Sequence, residues 1–303
     1  MVVEEKNEAA RFSGGTLYLC ATPIGNLRDI TLRVLDCLKC ADLIAAENPG
    51  HTQKLLHYYG IRARLISYRE SNREKKSLEI IARLREGAIV ALLSDAGMPG
   101  ISDPGSYLIR MLIKEGIPYT VLPGPSAVLT ALVNSAYPGT KFVFWGFLSR
   151  KKARLRKELS EISKEEKTVV LYESPHRFQE TLEEMAKTME HREMTVCREL
   201  TKKYEEVVRG TPGRLMDYFR RTAAPKGEIT LVISPLGWAE GEFSRACLSE
   251  EELLSIKDTA REKISEYMRK GSTPAEAAKR ASAALPISRR EAYSLILELK
   301  NKE

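Results

Sequence analysis

The chain reads as an α/β protein, with two α/β domains followed by a small all-helical tail, and three observations carry that reading. Short apolar runs alternate with helical patterns through the first half; the strand-like runs of the second half lie closer together; from about Gly241 only helical patterns remain. Regular alternation is the mark of a parallel sheet, because parallel strands need long crossovers, whereas closely spaced strands pair antiparallel.

Residues 1 to about 14 are polar and end at Gly14-Gly15, which predicts a flexible leader ahead of an N-terminal domain over 15–136. Leu17-Tyr18-Leu19-Cys20 is the first strand, and residues 21–29 form a loop that opens a helix at Thr31. A second strand, Asp42-Leu43-Ile44-Ala45-Ala46, runs into Glu47-Asn48-Pro49-Gly50-His51, with a helix expected from Thr52 to Tyr59. After the strand Leu65-Ile66-Ser67-Tyr68 comes a charged helix over about 71–86. The next strand, residues 88–93, leads into Ser94-Asp95-Ala96-Gly97-Met98-Pro99-Gly100-Ile101-Ser102-Asp103-Pro104-Gly105 and a helix from Tyr107. Tyr119-Thr120-Val121-Leu122, the loop Pro123-Gly124-Pro125-Ser126 and an apolar helix from Ala127 to Ser135 complete this domain.

A composition shift at residues 136–140 marks the boundary of a C-terminal α/β domain over 137–237. Its strands are residues 142–148, 168–172, 194–198, 206–210 and 228–233, with a helix reaching about Met189. A helical tail over 245–303 opens with an amphipathic helix from Ser249 to Lys270; Thr273-Pro274-Ala275-Glu276 and Ser288-Arg289-Arg290-Glu291 are capping boxes that start two more helices. Their layout resembles a helix-turn-helix, and such a tail either packs on its own body or a partner subunit or reads nucleic acid.

Composition narrows the function. At 303 residues, 43% hydrophobic and 29% charged, the chain is an ordinary globular protein. No apolar run approaches the roughly 18 residues that span a bilayer, and the first residues lack the layout of a signal peptide, so a cytoplasmic location is expected. Five cysteines, Cys20, Cys37, Cys40, Cys197 and Cys247, read as reduced thiols, and Cys37 and Cys40 have no second ligand pair, so no metal is expected. The net charge of +7 suits a polyanionic partner. Residues 150–157 concentrate six cations, either a solvated helix face or a phosphate-facing patch.

The loop after the fourth strand is the first candidate site. Residues 93–105 hold three Gly, two Pro and two Asp, a density of special backbone that gives a ligand close access at the carboxyl end of a parallel strand. Neither G-x-G-x-x-G nor G-x-x-x-x-G-K-[ST] occurs, which disfavours a dinucleotide or P-loop site.

Taken in order, Leu17 to Thr31, Ser94 to Gly105 and Leu122-Pro123-Gly124-Pro125-Ser126-Ala127 resemble the tetrapyrrole-methylase superfamily of S-adenosylmethionine enzymes. With Tyr172-Glu173-Ser174-Pro175-His176-Arg177 and Arg198-Glu199-Leu200-Thr201-Lys202 the chain is similar, more narrowly, to the bacterial family that methylates the ribose 2′-oxygen of a decoding-centre cytidine in 16S ribosomal RNA. The resemblance covers about residues 15–235. It implies the two-lobed fold of class III methyltransferases, S-adenosylmethionine bound in a cleft between the lobes, a homodimer and the small ribosomal subunit as partner. Matching positions imply that Ile24, Asp95, Met98, Ser126, Ala127, Tyr172 and Glu228 line the cofactor pocket, with Gly97 giving backbone access. Asp95 and Ser126 are equally readable as helix caps, and Ile24, Met98, Ala127 and Tyr172 as core. One departure stands out: the family usually reads A-E-D-T-R after its second strand, and here the residues are Ala46-Glu47-Asn48-Pro49-Gly50.

Methyl transfer to a hydroxyl demands alignment and removal of a proton. Glu47, Glu173 and Glu199 stand at strand ends as unranked candidates for the base, with Glu173 also readable as an ion-pair partner of Arg177. Arg28, Arg150, Lys151, Arg177, Arg198 and Lys202 lie in or beside the motif loops and are expected to meet phosphate; Tyr68, Trp145 and Phe147 are stacking surfaces or core. Two other readings stay open: a tetrapyrrole C-methylase of the same superfamily, and a relative that binds S-adenosylmethionine or RNA without catalysis.

Overall fold

A computed structural model describes residues 12–222, 225–238, 250–285, 287 and 289–300. The chain divides into two compact units, one running to Thr130 and including Glu199–Glu205, the other comprising Ala131–Arg198 and Glu206 onward. The division falls inside a helix rather than at the composition shift of residues 136–140.

The first unit holds a parallel sheet of β1 (Leu17–Cys20), β2 (Leu43–Ala46), β3 (Leu65–Ser67), β4 (Val90–Leu93) and β5 (Tyr119–Leu122), in the order β3-β2-β4-β1-β5. β1, β2 and β4 are buried along their whole length, as continuous apolar runs in a parallel sheet require. Side chains alternate between two cores. Tyr18, Cys20, Ile44, Ala91 and Leu93 pack with Val34 and Leu38 of α1 (Leu32–Cys40) and Leu55 and Leu56 of α2 (Pro49–Tyr58). Leu17, Leu19, Leu43, Ala45, Val90 and Leu92 pack with Ile80 and Leu84 of α3 (Arg73–Arg85) and Leu108 and Leu112 of α4 (Ser106–Glu115). Each large apolar side chain among them contributes about 1.5–3 kcal/mol on burial. α5 (Ala127–Ser135) follows β5.

Two expectations change here. Helix α2 starts at Pro49 rather than Thr52, because Asn48 is its N-cap, with Oδ1 accepting from the Gly50 amide at 3.2 Å, and proline suits the first helical position. Of the expected leader, residues 1–11 lie outside the described residues, and residues 12–14 are not loose. Phe12 is buried edge-on against Tyr18 at 5.1 Å, and the Ser13 amide donates to the Tyr18 hydroxyl at 2.8 Å.

The second unit holds β6 (Phe142–Phe147), β7 (Thr168–Glu173), β8 (Met194–Arg198), β9 (Glu206–Gly210) and β10 (Ile229–Ile233), in the order β6-β7-β10-β8-β9. Only β6 and β7 run parallel, so the closely spaced strands do pair antiparallel. The basic segment forms α6 (Lys152–Ile162), which buries Leu155, Leu159 and Ile162. With α7 (Phe178–Thr188) and α8 (Pro212–Arg221) it covers the core around Phe178, which meets Phe219 edge-on at 5.0 Å. α8 went unread in the sequence, although Thr211 and Pro212 are its N-cap and first helical residue.

The tail forms α9 (Glu250–Arg269), α10 (Pro274–Ala284) and α11 (Arg289–Lys300) around a core of their own that includes Ala260, Ile264, Ala277, Ile287 and Leu295. Thr273 and Glu276 make the expected capping box; Ser288 of the second one lies outside the described residues. Cys20, Cys37, Cys40 and Cys197 are free thiols, and Cys247 lies outside the described residues. No described helix is long and apolar enough to cross a membrane.

Candidate active site

Because all strands of the first sheet run parallel, the loops after β3, β2, β4, β1 and β5 leave the same edge in that order. Two of them are tied together: the Thr22 amide donates to the Gly97 carbonyl at 2.9 Å, the Gly97 amide to the Thr22 carbonyl at 3.0 Å, and Thr22 Oγ1 to the Ser94 carbonyl at 3.2 Å. Gly97 sits at φ +76, which a side chain strongly disfavours, and a Cβ there would lie 3.6 Å from Ile24 Cγ2. At Gly124 a Cβ would come within 2.8 Å of Ala21 Cβ, so the loops after β1 and β5 approach as only glycine permits. At Gly25 it would meet Lys202 Cγ at 2.5 Å and the Leu200 carbonyl at 2.6 Å, and the adjacent Asn26 amide donates to Thr201 Oγ1 at 3.0 Å.

Three charged residues define the middle of this edge. Asp95 Oδ1 is buried and has no hydrogen-bond partner among the described residues. Glu47, at the end of β2, accepts from the Asp95 amide through Oε2 at 3.3 Å, and its backbone amide donates to the Leu93 carbonyl at 3.2 Å. Burial pushes the Glu47 carboxyl above its usual value; the Asp95 amide and the Arg69 charge pull the other way without cancelling it. Arg69, after β3, donates through Nε to the Glu47 carbonyl at 2.9 Å. These residues open onto a pocket of about 560 Å³, also lined by Asn48, Ser102 and Asp103.

The residues expected at the site fall into groups. Ile24, Asp95, Gly97, Met98, Ser126 and Ala127 all belong to the first unit, on the loops just described. Ile24 is buried, while Met98, Ser126 and Ala127 are half-buried. Ser126 does cap α5, with Oγ accepting from the Leu129 amide at 3.4 Å. Asp95 caps nothing, since α4 begins only at Ser106. Tyr172 and Glu228 belong to the second unit: Tyr172 packs against Phe144 and Phe147 at 5.1 and 5.4 Å, and Glu228 is exposed before β10.

Several charged candidates hold the fold. Glu173 is buried, accepting from the Ser174 amide at 2.7 Å and Thr181 Oγ1 at 2.5 Å, with Arg177 at 3.8 Å. Arg177 donates to the carbonyls of Leu148 and Ser149 at 3.1 and 2.8 Å, so its guanidinium ties down the end of β6. Arg198 pairs with Glu206 at 2.8 Å, and Glu199 pairs with Lys202 at 2.8 Å. Arg28, Arg150 and Lys151 are exposed. Tyr68 is core, fully buried with its hydroxyl 3.1 Å from Ser77 Oγ, Trp145 packs on the second core, and Phe147 is exposed. Ser102 and Asp103 belong to the loop 93–105 already read as the first candidate site, although neither was singled out there, whereas Arg69 lies outside it. Arg69 opens a polar strand-to-helix loop at the carboxyl end of β3, but that position alone does not mark it.

Residues 16–215 match the family of Tetrapyrrole (Corrin/Porphyrin) Methylases. The chain belongs to that family. Among its relatives, "Ribosomal RNA small subunit methyltransferase I" of Bacillus subtilis (strain 168) is 43% identical over 279 residues, 92% of this chain and 93% of that protein. The protein of the same name from Thermotoga maritima is 44% identical over 220 residues, 73% of this chain and 98% of its own. Among solved structures, cobalt precorrin-4 methyltransferase CbiF aligns with a TM-score of 0.54 at 19% identity over 76% of this chain and 98% of that one. The methyltransferase CobJ aligns with 0.56 at 20% over 74% and 95%. At such identities the likeness bears on the fold alone.

The methyl donor of this chain is S-adenosylmethionine. The residues present fit it: Asp95 offers an unpaired buried carboxylate oxygen to a donor group such as a ribose hydroxyl or ammonium, and Gly97, two residues on, carries no side chain. Among the described residues no cluster of metal-ligating side chains accompanies it.

Proposed function

We propose that this chain methylates the ribose 2′-oxygen of a decoding-centre cytidine in the 16S RNA of the small ribosomal subunit, as a cytoplasmic homodimer. The names of its relatives and the net charge of +7 support an RNA substrate. The observation that carries the reaction is the Glu47 carboxylate, held at a strand end beside Asp95 and open to a polar pocket. When bound, S-adenosylmethionine supplies an electrophilic methyl group on a sulfonium. Ile24, Asp95, Gly97, Met98, Ser126 and Ala127 are the residues of the first unit that would hold it. Glu47 takes the proton of the 2′-hydroxyl at a carboxylate oxygen as the acceptor oxygen becomes nucleophilic. Its raised pKa makes it a stronger base than an ordinary carboxylate. Glu173, Arg177 and Arg198 serve the fold in this reading. An open pocket lined by polar and charged side chains does not suit the apolar faces of a tetrapyrrole.

The test incubates labelled S-adenosylmethionine with small subunits stripped of methylation and, in parallel, with a porphyrinogen. Label is expected in the RNA, at a linkage that resists alkali because its 2′-oxygen is blocked. Glu47→Gln should lower kcat by about 10²–10⁴-fold. The acid limb of kcat/KM should lie above the ordinary glutamate value of 4.5, with activity falling as pH drops through it. Label in the porphyrinogen, or full activity of Glu47→Gln, would overturn the reading.

A further inference from the structure

We propose that Arg69 holds a backbone phosphate of the acceptor RNA beside Glu47; this rests on the function proposed above. The pocket poses an electrostatic problem for any polyanion. Glu47, Glu70, Asp95 and Asp103 all line it, and among the described residues Arg69 is the only cationic one of its lining. Glu70 is paired with Arg73 of α3, which leaves Arg69 as the cation that faces the opening.

Arg69 is built to present that charge. Its backbone amide donates to Asn72 Oδ1 at 2.8 Å, which pins the turn after β3, and its Nε donates to the Glu47 carbonyl at 2.9 Å, which aims the side chain across the mouth of β2. Both terminal nitrogens remain without an acceptor among the described residues, and the side chain is exposed. A guanidinium fastened through Nε, with two NH₂ groups free on the same edge, matches phosphate geometry. The phosphate it holds would lie on the strand that carries the reacting ribose, so that Arg69 positions the acceptor and Glu47 takes its proton.

The neighbouring loop explains why the charge comes from β3. Where the family pattern has arginine, this chain has Gly50, exposed in the first turn of α2. A Cβ at Gly50 would meet only Asn48 Oδ1, at an ordinary 3.5 Å, so a side chain fits there. The cation missing from the end of β2 is supplied by Arg69 at the end of β3, the adjacent strand.

The experiment measures methylation of stripped small subunits by the full chain against salt, with Arg69→Ala, Arg69→Gln and Arg69→Ala combined with Gly50→Arg. Arg69→Ala should raise KM for the RNA about tenfold or more, leave kcat near that of the parent, and reduce the log–log salt slope of RNA binding by about 0.7. Arg69→Gln, which keeps an N–H donor for the Glu47 carbonyl and loses the charge, should show the same rise in KM, and Gly50→Arg should restore part of it. S-Adenosylmethionine affinity, read by calorimetry, should stay unchanged and certify folding. If Arg69→Ala lowers kcat with KM unmoved, or Arg69→Gln behaves as the parent, Arg69 only braces the Glu47 loop and the inference is overturned. If the parent itself labels no RNA, the proposed function falls and this inference with it, a result distinguishable from the first two.

Discussion

Asp95 holds a buried carboxylate oxygen with no partner among the described residues, and leaving such an acceptor unmade costs about 1–3 kcal/mol. A fold keeps such a group where a ligand completes it. Asp95→Ala should therefore weaken S-adenosylmethionine binding at least about tenfold while leaving the melting temperature of the ligand-free protein unchanged or raised. Calorimetric titration and thermal unfolding check both halves, and a lower melting temperature with unchanged affinity would make Asp95 a structural residue. At this scale the special backbone at Gly97 was legible because Gly and Pro crowd its loop, and residue types announce such backbone directly. Arg69 was not, because its importance depends on which strand lies beside β2 and on where Nε is fastened, neither of which a linear chain displays. Glu173 had two readings in the sequence, a strand-end base like Glu47 or an ion-pair partner of Arg177, and the structure shows the pair at 3.8 Å, with the Thr181 hydroxyl and the Ser174 amide closing around the carboxylate.

The helices show how elements join. Glu184 of α7, with a side chain only 4% exposed, accepts from Arg156 of α6 at 2.8 Å and from Lys187 at 2.9 Å. Those two cations hold its carboxyl down to about 2, against an ordinary value of 4.5. A depressed carboxylate pKa contributes stability that is present above the unfolded value and is lost as pH falls through the folded one. The melting temperature of the parent should thus drop between about pH 4.5 and about pH 2, and Glu184→Gln should flatten that part of the profile and lower stability at neutral pH. Thermal unfolding across that window decides it; parallel profiles would refute the link. Six cations in eight residues left a solvated face and a phosphate patch both open, and the packing shows that Arg154 and Arg156 are engaged with Glu158 and Glu184 while Leu155 and Leu159 face the core. α8 and the early start of α2 were missed although their caps were in view, because Thr-Pro and Asn-Pro read equally well as turns.

For the whole molecule, the helices α9–α11 share a core separate from those of the two sheets, and a relative matched over 98% of its own length covers only 73% of this chain. A chain ending at Trp238, which keeps the edge contact of Trp238 with Tyr137 at 5.6 Å, should remain folded and bind S-adenosylmethionine as the intact chain does. Loss of that binding in a soluble truncated protein would show that the tail supports the site.

Taken alone, the sequence determined the alternation of strands and helices, the parallel character of the first sheet, the more antiparallel second one, the helical tail, and the Gly- and Pro-rich loop that carries Asp95. These follow from periodicity and backbone chemistry, which act over a few residues. Only the tertiary structure decided that β2 and β4 are neighbours, which puts Glu47 beside Asp95, and that β3 flanks β2, which brings Arg69 to the Glu47 carbonyl. Which strands pair depends on burial and crossover connections tens of residues apart, and no local pattern encodes the distance between two loops that meet only once the sheet has formed.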